Sequence, residues 1–304
     1  MNTPEERPLK SAVQFHLVTE RDEGQRLDNC LFRLLKNVPK TRVYRLLRKG
    51  EVRVNKKRVD ADYRLVLNDQ IRIPPLVQTE PLLKPITQLN SDQQMWVKTC
   101  LLFENDDFMV INKPSGVSVH AGSDTRVGLI EALRIDRPEL KFIELAHRID
   151  KETSGCLLIA KKPSVLKGLH ALLRDRDFKK TYHMLVKGEW PRNLNRIELP
   201  VEGKPSLTTF QILQKMEKYT YVSALLHTGR QHQIRIHTQA SQHPIIGDDK
   251  YGDFKFNREF AHKTGLKRMF LHAYQVIFAW EGQTYKFVAP FGPEWKKAGV
   301  CLEV

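Results

Sequence analysis

KFIELAHRIDKETSGCLLIAKK, residues 141–162, sets two apolar runs around a polar cluster. The flanks KFIELA and CLLIAK read as short strands, and HRIDKETSG (147–155) as the loop that joins them. A loop that carries His147, Arg148 and Asp150 at the end of a sheet is good geometry for a site, because rigid strands fix the charged groups. A plain turn, with Asp150 capping local backbone beside Thr153 and Ser154, fits the same residues. Composition alone does not choose between the two.

On the C-terminal side the pattern of short strands continues. DFMVIN and TYHMLVKG read as strands, and LTTFQILQ/YTYVSALL and VIFAW/TYKFVAP as hairpins, the latter closed around Glu281-Gly282-Gln283. A helical stretch covers Ser164–Leu173. Residues 96–304 are therefore expected to form an α+β domain whose sheet is mixed and largely antiparallel. Towards the N-terminus the periodicity changes. RLDNCLFRLLK (26–36) places Leu27, Cys30, Leu31, Leu34 and Leu35 at helical spacing, and TRVYRLLRKG sets Val43, Leu46 and Leu47 against Arg42, Arg45 and Lys49. VRVN and IRIP complete a small α/β domain over 14–76. Residues 1–13 are expected to be a disordered tail, and 77–95, rich in proline and polar residues, a linker.

Charge separates the two parts. The chain of 304 residues carries a net charge of +15. Between Arg26 and Arg58 twelve lysines and arginines stand against Asp28 and Glu51 alone, so two-thirds of the excess sits in about a tenth of the chain. A basic segment punctuating an apolar pattern is what counterion release from a polyphosphate uses, and RNA or DNA is the expected partner. The alternative is a solvated basic face that aids solubility only. Lys40, Arg42, Arg45, Arg48, Lys49, Lys56 and Lys57 are the candidate contacts.

Several classes are disfavoured. No apolar run approaches the roughly 18 residues of a membrane span. MNTPEERPLK lacks the apolar core of a secretory signal, so the expectation is a soluble, cytoplasmic protein with no membrane partner. Cys30, Cys100, Cys156 and Cys301 form no CxxC pair and read as reduced thiols. Neither a dinucleotide GxGxxG nor a phosphate-binding GxxxxGK[ST] loop occurs. His227, His232 and His237 are five apart, a spacing that shares no helix or strand face. No cofactor and no metal are expected.

HRIDKETSGCLLIAKK resembles the HRLDxxTSGLLLxAK signature of the RluA family of pseudouridine synthases, with isoleucine for the leucine before the aspartate. NKPSGVSVH (112–120), KKTYHMLVKG (179–188), HTGRQHQIRIH (227–237), HPIIGDDKYG (243–252) and FLHA (270–273) resemble further family segments, in family order. Gln231 stands where the family has threonine. The resemblance runs from about residue 97 to 290. The basic N-terminal part is similar to a small RNA-binding domain first known from a ribosomal small-subunit protein, of the alpha-L type. Its fusion to such a domain points within the family to the enzymes of large-subunit rRNA.

The resemblance implies isomerisation of uridines to pseudouridine in 23S rRNA, free or in a large-subunit precursor, by a monomer that needs no cofactor. It implies that Asp150 is indispensable. A carboxylate ionised near neutrality can attack a carbon, stabilise a cationic sugar or take a proton from the ribose, and the sequence leaves all three routes open. Arg230 is the expected partner of Asp150, with Gly229 allowing close backbone approach. Tyr182 is expected to stack on the flipped base and assist proton movement at carbon 5. Arg148 is expected to occupy the space that base vacates, and His147 to be structural or to contact RNA. Gly247, Asp248 and Tyr251 read as a turn near the pocket with no chemistry.

Two other readings fit part of this pattern. One is a non-catalytic RNA-binding protein that keeps a dead domain. The other is a hydrolase of the glycosidic bond, which needs a second acid/base carboxylate where the loop offers only Asp150 and Glu152.

Overall fold

Leu27, Cys30 and Leu31 share one face of helix α1 (Leu27–Leu34), and Val43, Leu46 and Leu47 one face of α2 (Lys40–Arg48). Those faces pack on β2 (Arg53–Val54) and β3 (Gln70–Ile73), which with β1 (Gln14–Leu17) form a three-stranded sheet of order β1-β3-β2. The computed structural model describes residues 12–35, 38–76, 88–121 and 127–301, and the chain divides into two compact units, Met1–Pro85 and Ile86–Val304. In the smaller unit the core excludes charge, so Lys40, Arg45, Arg48 and Lys49 stay exposed along α2, and Lys56 and Lys57 in the turn after β2. The expected tail lies almost wholly outside the described residues, as does most of the expected linker.

The rest of that linker is structured. Asn90 accepts from the Gln93 N–H and the Gln93 side chain accepts from the Asn90 N–H, a reciprocal cap that starts α3 (Ser91–Thr99). The larger unit continues with β4 (Leu101–Glu104), β5 (Phe108–Lys113), α4 (Leu129–Asp136), β6 (Glu144–Leu145), β7 (Ser154–Ala160), α5 (Pro163–Asp175), β8 (Lys179–Lys187), β9 (Arg196–Glu198), β10 (Leu207–Lys215) and β11 (Tyr219–Leu226). After these come α6 (Gln233–Ala240), α7 (Phe254–Thr264), β12 (Leu271–Trp280), β13 (Gln283–Val288) and α8 (Pro293–Lys297).

Ten strands form one sheet of order β4-β5-β7-β12-β8-β11-β10-β9, with β13 beside β12 and β6 beside β7. Among the described residues only β7 and β12 run parallel, so the sheet is mixed and largely antiparallel, as the strand pattern implied. Alternation along the strands divides the core. Met109, Ile111, Leu157, Ile159, Tyr182 and Met184 point to one face. Phe108, Val110, Cys156 and Leu158 point to the other, where α5 packs through Val165 and Leu169.

KFIELA forms a strand only at Glu144–Leu145. Ile143 and Leu145 join the first core while Phe142 and Ala146 join the second, so the segment is held by packing on both sides more than by a ladder. Both expected hairpins form, and the second closes on Glu281 and Gly282 between Trp280 and Gln283.

Candidate active site

The loop 147–153 leads into β7 where that strand meets β12. Gly155 (φ 111°) faces Ala273 so closely that a Cβ would lie 2.3 Å from the Ala273 carbonyl oxygen. Only glycine permits both that approach and that backbone conformation. Ser154, the first residue of β7, receives a hydrogen bond from Arg268 Nη2 (2.7 Å) and lies 2.7 Å from His272 Nδ1. His272 Nε2 donates to the Ala289 carbonyl at 3.1 Å, which leaves Nδ1 to accept from the serine hydroxyl.

A buried lysine secures the middle of the loop. Lys113 Nζ donates to the carbonyls of Pro114 (2.7 Å), Val117 (2.9 Å) and Lys151 (2.8 Å). The Gly116 N–H also reaches the Lys151 carbonyl, at 2.9 Å, and Ser115 the Glu152 carbonyl at 2.7 Å. Burial brings the Lys113 ammonium down to about 7, against opposing pulls from Glu152 and Asp150. Segment 113–117 is therefore bolted to the loop immediately after Asp150, at Lys151 and Glu152.

Asp150 itself is met from α6. Arg235 Nη1 donates to Asp150 Oδ2 at 3.0 Å, while Nε and Nη2 donate to Asp248 Oδ2 (2.7 Å) and Oδ1 (2.8 Å). The expected pair between Asp150 and Arg230 is not formed. Arg230 lies before α6 on an exposed turn, and its Nε approaches the Pro205 carbonyl at 3.3 Å. The reason is the helix: His232 at its N-cap takes a left-handed conformation (φ 55°), and the turn that follows carries Arg235 inward.

Burial opposes charge at both ends of the Arg235–Asp248 pair. The two carboxylates outweigh it for Arg235, whose guanidinium is held above its ordinary range. For Asp248 the arginine fork and the N–H groups of Tyr251 and Lys250 outweigh it and hold the carboxyl below its range. The Asp248 side chain is 0% exposed and that of Asp150 26%, so one carboxylate is sealed and the other faces outward. His232 adds a second neighbour, with Nε2 3.8 Å from Asp150 Oδ1 and Nδ1 3.0 Å from the Tyr251 hydroxyl. Burial lowers its imidazole, so it is neutral near pH 7.

Asp150 opens into a cleft of about 1200 Å³ lined also by Tyr182, Arg148, Arg230 and Lys180. That exceeds the roughly 300–1000 Å³ of sites for drug-sized ligands, leaving space for a nucleotide and its neighbours. Seven lysines and arginines line it against four carboxylates, a balance that favours a polyanion. Tyr182 is buried at its wall, and burial, with Asp150 adding to it, holds the phenol above its ordinary range. Arg148 is exposed. His147 is turned inward: its Nε2 accepts from the Leu158 N–H (3.2 Å), and burial drives the imidazole down to about 3. Of the two roles expected of His147, structural or RNA-contacting, that placement fits the structural one, in support of β7.

The remaining candidates, Lys40, Arg42, Arg45, Arg48, Lys49, Lys56 and Lys57, lie in the smaller unit, Arg42 half-buried and the rest exposed. There, among the described residues, His16, Asp22 and Cys30 form the one group of ligand atoms close enough to share an ion. Arg33 already pairs with Asp22 and reaches Cys30 Sγ at 3.5 Å, so a cation holds that position.

Sequence reasoning passed over Arg235 and read Asp248 only as part of a turn near the pocket. A signal was present, since an arginine set between Ile234 and Ile236 and an aspartate after Ile245-Ile246 are charges in apolar surroundings, which demand partners.

Comparison with known proteins agrees with this geometry. The family model described as RNA pseudouridylate synthase matches residues 107–240, and that of the S4 domain matches 25–71. The chain is 44% identical over 312 residues to ribosomal large subunit pseudouridine synthase C of Pasteurella multocida (strain Pm70), covering 96% of this chain and 95% of the relative. The protein of that name from Escherichia coli (strain K12) is 41% identical over 311 residues, with 96% of each covered. Among solved structures, human RNA pseudouridylate synthase domain containing 4 superposes with a TM-score of 0.59 at 21% identity, over 68% of this chain and 93% of that one. An S4 domain, the loop around Asp150 and full-length similarity to named synthases converge: the chain belongs to the RluA family of pseudouridine synthases.

Proposed function

We propose that this enzyme isomerises uridines of 23S rRNA, in the free RNA or a large-subunit precursor, with Asp150 as the reacting carboxylate. The observation that carries this reading is the unequal treatment of two carboxylates by Arg235. Asp248 is consumed as a structural counterion, while Asp150 receives one hydrogen bond and keeps the rest of its surface towards a basic cleft. The relatives named above are large-subunit synthases, which supports rRNA as the substrate. A uridine stacked in folded RNA must leave the stack to reach Asp150. Arg148, exposed at the cleft, is placed to fill the vacancy, and Tyr182 to lie against the extruded ring.

The reaction breaks the bond from base nitrogen to ribose, turns the uracil and rejoins it through carbon 5, so no atom beyond a proton is exchanged with solvent. Asp150, oriented by the hydrogen bond from Arg235, supplies the negative charge this needs. Tyr182, held above its ordinary range, stays a neutral phenol and so serves as stacking surface and proton donor. The α2 basic face of the S4 unit supplies non-specific hold on the phosphate backbone. We propose that the enzyme acts in the cytoplasm as a monomer; among the described residues no helix is long and apolar enough to cross a membrane.

Incubation with large-subunit rRNA labelled with tritium at uracil carbon 5 tests the reading. Release of tritium to water without added cofactor is expected. Recovery of free uracil would make the chain a hydrolase, and binding without either would make it a dead homologue.

A further inference from the structure

Strand β8 carries two residues, Lys180 and Tyr182, two positions apart and therefore on the same face of the sheet. Both line the cleft. Tyr182 is absorbed by the chemistry at Asp150, but Lys180 has no part in it. Its Nζ lies beside Gly229, where a Cβ would come to 3.4 Å from it, and its charge is felt at His147 on the opposite loop. The ammonium thus sits between the two loops that frame the cleft, 147–153 and 227–232. Glycine at 229 leaves its approach unobstructed, since even a methyl group there would touch Nζ.

Lys180 is half-buried, and among the described residues no carboxylate and no hydrogen-bond acceptor meets its ammonium. Every other lysine drawn into this unit's interior is satisfied. Lys113 has three carbonyls, and Lys161 has Glu104 (2.8 Å) and the Asn105 carbonyl (2.7 Å). The half-buried ammonium faces the cleft with no carboxylate among the described residues to neutralise it, so its charge is available to an anion that enters. Burial lowers the Lys180 ammonium below the usual lysine range.

We propose that Lys180 is a phosphate-binding residue, whose ammonium receives a backbone phosphodiester of the flipped-out nucleotide and seats it against Tyr182. This rests on the reading of the cleft as the RNA site. An anionic ligand is what the pocket lacks, and the phosphodiester is the group that every RNA brings with it. The Lys180 ammonium thereby fixes how deeply the nucleotide enters, while Asp150 does the chemistry.

Steady-state tritium release with the full chain separates the two roles. Lys180→Met, which keeps the length of the side chain and removes the charge, is expected to raise KM about tenfold, the effect of one lost charge-assisted contact of ~1.4 kcal/mol, with kcat within about twofold. The slope of log KM against log salt should fall by about 0.7, one phosphate contact on single-stranded RNA. Lys180→Arg should restore both. Thermal unfolding of Lys180→Met should occur near or above the wild-type midpoint, since no ion pair among the described residues is broken and a half-buried charge is removed. A KM and salt slope equal to wild type would overturn the proposal. So would a fall in kcat at constant KM, which would place Lys180 in the bond-making steps. A misassigned Asp150 shows instead in the kcat of Asp150→Asn, so the two failures are distinguishable.

Discussion

Arg235 reaches Asp150 across 85 residues of sequence with a single hydrogen bond of 3.0 Å, while the rest of its fork is closed by Asp248. The asymmetry defines the site. A bidentate partner would have consumed both oxygens of Asp150; a single N–H orients the carboxylate and leaves it lone pairs for substrate. Asp248 in turn fixes the arginine, aided by the Tyr251 ring 5.1 Å from the guanidinium carbon.

Removing Arg235 should therefore cost both rate and stability. Arg235→Lys keeps a charge but cannot bridge two carboxylates, and kcat is expected to fall about 100-fold, the scale of a misplaced reacting group. Arg235→Met leaves Asp248 buried and unpaired and should lower unfolding stability by about 3–5 kcal/mol. Tritium release and urea unfolding check the two effects. Wild-type kcat in Arg235→Lys would show that Asp150 is held by something else.

Arg230 supplies the contrast. It meets a backbone carbonyl from an exposed turn, so Arg230→Ala should act on RNA binding, with KM rising and kcat within about threefold of wild type. A collapse of kcat comparable to Arg235→Lys would mean that Arg230 swings onto Asp150 when RNA is bound.

Stability should fall as the solution is acidified from pH 6.5 to pH 5. His147 and His183 are driven by burial down to about 3 and His272 to about 4, all from an ordinary value of 6.5. In that window the unfolded chain takes up protons on these rings and the folded chain does not, so unfolding is favoured as pH drops. The neutral form is built in, because His272 accepts from Ser154 and His147 from the Leu158 N–H. Urea midpoints at pH 7.5 and pH 5 give the comparison; equal midpoints would mean that these histidines protonate in place.

The S4 unit makes a separate prediction. Arg45, Arg48 and Lys49 are exposed on α2, and replacing all three by glutamine should leave kcat unchanged while flattening the salt dependence of rRNA affinity by about two to three in log–log slope. Filter binding at several salt concentrations measures it. An unaltered slope would place the RNA elsewhere.

Much of this was legible in the chain. The alternation of CLLIA and TYHMLV, the helical spacing of Leu27, Cys30 and Leu31, and the charge concentrated between Arg26 and Arg58 all report local rules. The Asp150 loop was legible because its flanking apolar runs bracket it. What was not legible depended on distant contacts. α3 hides in polar sequence, since its start is set by the side chains of Asn90 and Gln93 rather than by an apolar stripe. KFIELA looked like a strand because packing on two sides and pairing in a ladder both call for apolar residues. The choice of Arg235 over Arg230 turned on a helix whose N-cap lies between them, at His232.

The most direct test is Asp150→Asn, which keeps shape and the hydrogen bond from Arg235 while removing the charge. It should bind rRNA within about twofold of wild type and release no tritium above background, a loss of at least 10⁴ in rate by analogy with other essential carboxylates and nucleophiles. Turnover near the wild-type rate would contradict the assignment of Asp150, and with it the account of why the fold keeps that carboxylate half free.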